Sequence, residues 1–384
     1  YASVARWIRQ GVRIALEDGA SGTEVEVVAR DPSGSSPADL ISELESEGVA
    51  AVLGPIRAGA LAAVARARPD PGLLVVSPTA MRSPEGALHA YALRDRRQQE
   101  MDAAAALGRW LGAAVRPGPV GALYPEGELG RRSLLRFRRG LGETGGGWLV
   151  ASAAYDPEAT TLRAPVIQVA AWRPEAVYAG AAGTSSLLQM APQLAYYGVR
   201  AALVVGGPDW TRPGAVRRLD PAFTQFRVGT SFLPGEGDDT ARGRFRASYE
   251  KKHRTTLGDN VLPMMGHDAA MLLRRALAGA EPPRPRAVAR AFGRLSGVEG
   301  ATGTLSPQPA SGTVRRRVRL RALEDRRLRP TGAGEAREWL RTAGRLEEAG
   351  ARGRRARARR AVRDAEIPLV RARSEAEEEG DVPR

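Results

Sequence analysis

The chain has 384 residues, 58 Lys and Arg against 43 Asp and Glu, a formal net charge of +15 and no cysteine. At roughly 100–200 residues per domain this suggests two or three domains and a sizeable core. The lack of cysteine excludes thiol catalysis, disulfides, cysteine-ligated zinc and iron–sulfur clusters. Lys251 and Lys252 are the only lysines, and neither follows a glycine turn, so there is no P-loop. The arginine excess attracts polyanions non-specifically, but a GC-rich genome accounts for it as well, and no specific nucleic-acid partner is expected. No stretch approaches the ~18–20 apolar residues of a membrane span. Tyr1-Ala2-Ser3 carries neither an initiator Met nor a leader, which reads as a processed or truncated start.

In chain order, Val4, Ile8, Val12, Ala15 and Leu16 mark one face of a helix. Glu24 to Ala29 alternates as a strand, Asp31 to Ser36 is a loop, and Pro37 to Glu47 is a helix with Ser36 as its N-cap. Short buried strands are predicted at Val49 to Leu53 and Leu73 to Val76. Helices follow at Ala58 to Ala67 and from Gln99 to Leu111. The rhythm restarts near residue 118. Strands are expected at 120–124, 148–151, 176–179 and 202–205, with helices at 131–141, 164–171 and 185–197 between them. Strand, glycine-containing loop, helix, strand is the pattern of a parallel sheet covered on both faces. Helices at 240–253, 266–277 and 285–295, a Gly/Ser/Pro-rich connector at 300–312 and a strand at 314–323 complete the pattern. After Pro330 an amphipathic stretch at 335–349, a basic block at 352–363 and an acidic block at 375–381 read as a charged tail, disordered or partly helical.

The order of several short motifs resembles the type I periplasmic solute-binding proteins of the leucine/isoleucine/valine-binding family. The resemblance covers about residues 1–325. Its carriers are Gln10 to Glu17, Val52-Leu53-Gly54-Pro55, Val76-Ser77-Pro78-Thr79-Ala80, Leu123-Tyr124-Pro125 with Gly130, Tyr155-Asp156-Pro157, Gln193 to Gly198, Gly207-Pro208-Asp209-Trp210, Gly266-His267-Asp268-Ala269 and Gly300 to Leu305. The resemblance implies an α/β fold of two Rossmann-like lobes with parallel sheets, joined by three crossovers near 117–120, 230–238 and 303–313. The first lobe is expected to hold 1–118 and 236–303, and the second 119–235 and 313–330, with 331–384 as the tail. Family members begin with a strand and a Pro-Leu-Ser/Thr-Gly loop that this sequence lacks, so the first strand is expected to be missing.

The resemblance places a ligand in a cleft between the lobes. Ala58 and Gly59 stand where the family has a Ser or Thr for the ligand carboxylate, which leaves backbone N–H groups, with Arg57 near them. Ser77 and Thr79 offer hydroxyls to an ammonium or a carboxylate, and read equally as turn hydroxyls. Met81 stands at a family Thr, and Leu129 and Ala182 at family Tyr positions. These apolar replacements suit a larger apolar ligand, or a site that no longer takes amino acids. Asp209 stands where the family has an acid that pairs with the ligand ammonium, and reads otherwise as an Asp in a Pro-Asp turn; Trp210 would stack on the ligand or shield it, or is a rim aromatic. His267 and Asp268 read as capping and packing residues.

No Gly-x-Ser-x-Gly elbow and no His-Glu-x-x-His is present, so the expectation is a binder and not an enzyme, with no cofactor. The implied role is capture of an amino acid or related solute for an ABC permease by lobes that close on a hinge. The alternative is a lipoprotein like the penicillin-binding-protein activators, which share this fold and act on a cell-wall synthase. Either role implies a periplasmic or extracytoplasmic location, with lipid anchorage left open.

Overall fold

The computed structural model describes residues 2–17, 25–30, 34–67, 72–80, 89–93, 96–114, 118–144, 147–180, 183–197, 199, 203–211, 226–230, 240–258, 260–324 and 327–330. In chain order the first elements are α1 (Ala2–Glu17), α2 (Pro37–Ser46), β1 (Ala51–Leu53), α3 (Ala58–Ala67), β2 (Leu74–Ser77) and β3 (Ala90–Ala92). Next come α4 (Arg96–Ala114), β4 (Gly118–Pro125), α5 (Glu128–Glu143), β5 (Gly147–Tyr155), α6 (Arg163–Ala170) and β6 (Ala176–Ala179). These lead to α7 (Thr184–Tyr196), β7 (Leu203–Gly206), a 3-10 turn (Pro208–Thr211), β8 (Phe226–Thr230), α8 (Ala241–His253) and α9 (Leu262–Ala278). The last are α10 (Pro285–Arg294), β9 (Val298–Gly300), β10 (Gly303–Gln308), β11 (Thr313–Arg316), β12 (Arg319–Glu324) and β13 (Arg327–Pro330).

Two compact units share these elements. One comprises Tyr1–Gln99 and Ser231–Val318, the other Glu100–Thr230 and Arg319–Arg384. The first unit holds a six-stranded sheet in the order β1-β2-β3-β11-β10-β9. Its first four strands run parallel, and β10 is antiparallel to both β11 and β9. Leu74, Val76 and Leu305 face α9 and α10 through Leu272, Val288 and Phe292, while Leu73, Val75 and Ala92 pack against Ile41, Leu61 and Val64 of α2 and α3. Alternate strand residues thus serve opposite faces, as a sheet buried on both sides requires. Helix α1 lies directly on α9. A Cβ on Gly11 would stand 1.7 Å from the Pro263 carbonyl oxygen, and one on Gly266 2.3 Å from that of Ile8.

The second unit holds a seven-stranded sheet in the order β13-β12-β8-β7-β6-β4-β5, parallel from β8 to β5 and antiparallel through β12 and β13. Val177, Ala179 and Val204 meet α6 and α7, whereas Ala176, Tyr178 and Val205 meet α4 and α5. The α/β fold with parallel sheets expected from the sequence is the fold observed.

Several elements differ from the sequence reading. Residues 25–30 form no strand, and Val27 and Val28 are both exposed. Alternation alone does not make a strand without a pairing edge and a face to bury. Arg30 instead ties the segment to α2 through Glu47 at 2.6 Å. The expected connector at 300–312 contains β10 and the end of β9, and the single strand expected at 314–323 is two strands, β11 in one sheet and β12 in the other. The segments at 335–349, 352–363 and 375–381 lie outside the described residues.

Candidate functional site

In the first unit, β1 and β2 are parallel neighbours, so the loops after them emerge side by side. Gly54 leaves β1 at φ +146°, a conformation that favours glycine, and its N–H donates to the Val76 carbonyl at 2.9 Å. The Ser77 hydroxyl donates to the Pro55 carbonyl at 2.6 Å and accepts from the Ala80 N–H at 3.1 Å. The Thr79 hydroxyl donates to the Ile56 carbonyl at 2.5 Å. Both hydroxyl protons are therefore spent on lacing the two loops together, and each oxygen keeps only acceptor capacity. Ser77 is wholly buried; Thr79 is half-buried. Gly59, in the first turn of α3, is exposed, with open space beyond its Cα. The Ala58 side chain and Met81 lie outside the described residues.

In the second unit the carboxyl ends of β4, β6 and β7 are closed by aromatic donors. The Tyr155 hydroxyl donates to the Gly180 carbonyl at 2.8 Å, and the Trp210 indole N–H to the Ala179 carbonyl at 2.8 Å. Trp210 was expected to face a ligand. It is instead completely buried among Leu123, Tyr155 and Val204, because its ring lies across the backbone of Gly206, where a Cβ would meet the indole Cδ1 at 2.3 Å. It anchors the short turn that carries Asp209, which is itself half-buried. Ala182 lies outside the described residues.

Glu100, which the sequence reading missed, belongs to the same strand end. Its carboxylate sits against Gly207, with Oε1 2.5 Å from where a Cβ would be. The Gly206-Gly207 pair was the available signal, since two adjacent glycines at a strand end mark close approach to the backbone. The Tyr178 phenol reaches the Ser133 hydroxyl at 3.3 Å, and its ring stacks on Phe137 with centroids 4.4 Å apart. Burial, with the Glu100 charge second, pushes the Tyr178 phenol well above its ordinary range.

His267 and Asp268 are packing residues, as expected, but they cap no helix: α9 already begins at Leu262, so Asp268 lies in its second turn and reaches the turn between β9 and β10 instead. The fully buried Asp268 carboxylate accepts from the N–H groups of Ala301 and Thr302 at 2.7 and 2.8 Å and from the Thr302 hydroxyl at 2.5 Å. His267 Nδ1 lies 3.1 Å from it. Arg316 donates through Nε to Thr302 Oγ1 at 3.0 Å and through Nη1 to the Leu93 carbonyl at 2.5 Å. Among the described residues no group of three or more His, Cys, Asp or Glu side chains could hold a metal ion, and no helix is long and apolar enough to cross a membrane.

Ligand sites of open α/β sheets form outside the carboxyl ends of their parallel strands, and residues 1–327 match the model of a family described as periplasmic binding protein. The chain belongs to the periplasmic binding protein family. Several solved members share its fold. A Rhodospirillum rubrum protein described as a branched-chain amino acid ABC transporter is 18% identical, with a TM-score of 0.72 over 86% of this chain and 96% of its own. A Desulfitobacterium hafniense ABC transporter substrate-binding protein in complex with Leu is 17% identical, with a TM-score of 0.59 over 84% and 95%. An ABC transporter solute-binding protein from R. palustris, in complex with benzoate, is 16% identical, with a TM-score of 0.54 over 86% and 92%. No curated protein matches the chain.

Proposed function

We propose that this periplasmic binding protein captures a small carboxylate-bearing solute, an amino acid or a close relative, in the periplasm and delivers it to an ABC permease of the inner membrane. The observation that carries this reading is the placement of Asp209. Its turn is pinned by the buried Trp210 at the carboxyl end of β7, which supports a role for this carboxylate in pairing with a ligand ammonium. The first unit, by itself, also has groups for such a solute: Thr79 keeps acceptor capacity suited to an ammonium, and the first turn of α3 offers N–H groups to a carboxylate. Leu and benzoate, the ligands of two structural neighbours, share a carboxylate; only Leu adds an ammonium.

That difference supplies the test. In a thermal-shift screen followed by calorimetry, an amino-acid ligand raises the melting temperature by mass action. Asp209→Ala then weakens that ligand at least about tenfold, or about 1.4 kcal/mol, and leaves an aromatic acid without an ammonium unaffected. Unchanged amino-acid affinity removes Asp209 from the site.

The committed protons of Ser77 and Thr79 favour a second reading. The laced loops of the first unit have no hydroxyl donor left at these two positions for a carboxylate, which suits a chain that has given up amino acids for contact with a cell-wall synthase. A folded protein with no thermal shift across amino acids, amides and short peptides, and with retention of a synthase in a pull-down, would establish that role.

A further inference from the structure

Helix α5 shows two contrasting faces. Gly130, Ser133, Phe137, Gly140 and Leu141 are buried. The opposite face exposes Arg131, Leu135 and Arg138 along one stripe, and Arg132, Arg136 and Arg139 along the next. Residues three and four apart are neighbours on a helix surface, so Arg131, Arg132, Arg138 and Arg139 surround Leu135, with Arg136 on the adjoining stripe, over about 12 Å of helix. Leu135 is 61% exposed. The flanking acids neutralise only part of this charge. Glu128 takes Arg132 at 2.6 Å, and Glu143 takes Arg139 at 3.3 Å and Arg109 of α4 at 3.6 Å. Arg131, Arg136 and Arg138 form no ion pair among the described residues.

We propose that this face of α5 docks the protein on an anionic phospholipid surface, with the arginines on lipid phosphates and Leu135 at the interfacial layer. The guanidinium fork matches phosphate oxygens and is weakly hydrated. A basic helix face with an apolar residue at its centre combines the two contributions that hold a peripheral helix at a headgroup layer. A fluid lipid surface also places phosphates under three unpaired arginines without a shaped partner. This favours lipid over an acidic protein, and membership of a periplasmic family puts such a surface within reach.

The test is sedimentation of the full chain with vesicles of phosphatidylglycerol and phosphatidylethanolamine, compared with phosphatidylcholine alone. Binding is expected only to the anionic vesicles, falling as salt rises. Each arginine near such a surface contributes about fivefold in affinity, so Arg131→Gln/Arg136→Gln/Arg138→Gln loses roughly a hundredfold. Arg6→Gln/Arg9→Gln/Arg13→Gln, which removes the same charge from the exposed side of α1, keeps most of the binding. All six positions are exposed, and a circular-dichroism melt checks that both variants fold. Leu135→Ser gives a smaller loss that persists at high salt. Equal losses in the two triple variants would overturn the proposal and leave only diffuse net charge. So would the absence of vesicle binding, or α5-dependent binding to soluble polyglutamate without vesicle binding, which would point to an acidic protein partner.

Discussion

The two units close the carboxyl ends of their sheets by different chemistry. In the first, hydroxyls and a buried charged network do the work: Ser77 and Thr79 lace β1 to β2, and Asp268, Thr302 and Arg316 join α9, the turn before β10 and the end of β3. In the second, two aromatic rings each donate one hydrogen bond to a carbonyl at the carboxyl end of β6, Ala179 or Gly180, while filling volume in the core. An aromatic donor that fails loses one bond and some packing. A polar network that loses a member leaves several buried groups unsatisfied together. The first unit should therefore be the more brittle of the two.

The largest expected effect follows from that contrast. Asp268→Ala removes the acceptor of two backbone N–H groups and a hydroxyl, each costing ~1–3 kcal/mol when left buried and unpaired, for a total of at least about 3 kcal/mol. Urea unfolding measures the loss, and hydrogen exchange locates it. Faster exchange confined to the first unit is expected, whereas an equal rise in both would mean that the contrast does not hold. Trp210→Phe keeps most of the ring but strands the Ala179 carbonyl, at about 1–3 kcal/mol, with exchange rising around β6 and β7 and not around α9. A loss as large as that of Asp268→Ala would show that the aromatic closure is no more tolerant than the polar one.

The smallest effect concerns His253, at the end of α8 in the first unit. Burial lowers its affinity for a proton, and Lys252 and Arg13 add to this while Glu17 opposes it. Because the folded pKa lies below the ordinary value, the unfolded chain binds the proton more readily. Stability from this group is present above the ordinary imidazole value of about 6.5 and falls as the pH drops below it. Replacing His253 with Gln should flatten the dependence of the urea midpoint between pH 7 and pH 5. An unchanged slope would assign it to other groups.

Most of the architecture was legible in the sequence because buried parallel strands advertise themselves. Ala176 to Ala179 and Leu203 to Val205 are short apolar runs between helical segments, and both fall in strands. What failed depended on partners far along the chain. Val25 to Ala29 alternates well but finds no neighbouring strand, whereas β3 has only three residues and is a strand because β2 and β11 flank it. At the candidate site, the sequence singled out Asp209 but misjudged its neighbour. A tryptophan after a Pro-Asp turn reads as a rim residue until Gly206 lets it fold back across β7. The Gly206-Gly207 pair signalled a close approach but not Glu100 as the residue that makes it, because its place beside Gly207 depends on how α4 lies on the second sheet.

The route of the chain has a consequence for how the protein is made. The first unit is interrupted after Gln99 and resumes at Ser231; Arg316 holds a carbonyl 223 residues upstream of it. At about 5–20 residues per second of synthesis, β3 waits roughly ten to forty seconds for β11. Throughout that interval an emerging chain carries β1, β2 and β3 with an unpaired edge, the kind of surface that seeds aggregation. Contacts of such long range also slow folding once synthesis is complete. A holdase that binds the segment before Gln99 should therefore raise the yield of this protein more than one that acts after release.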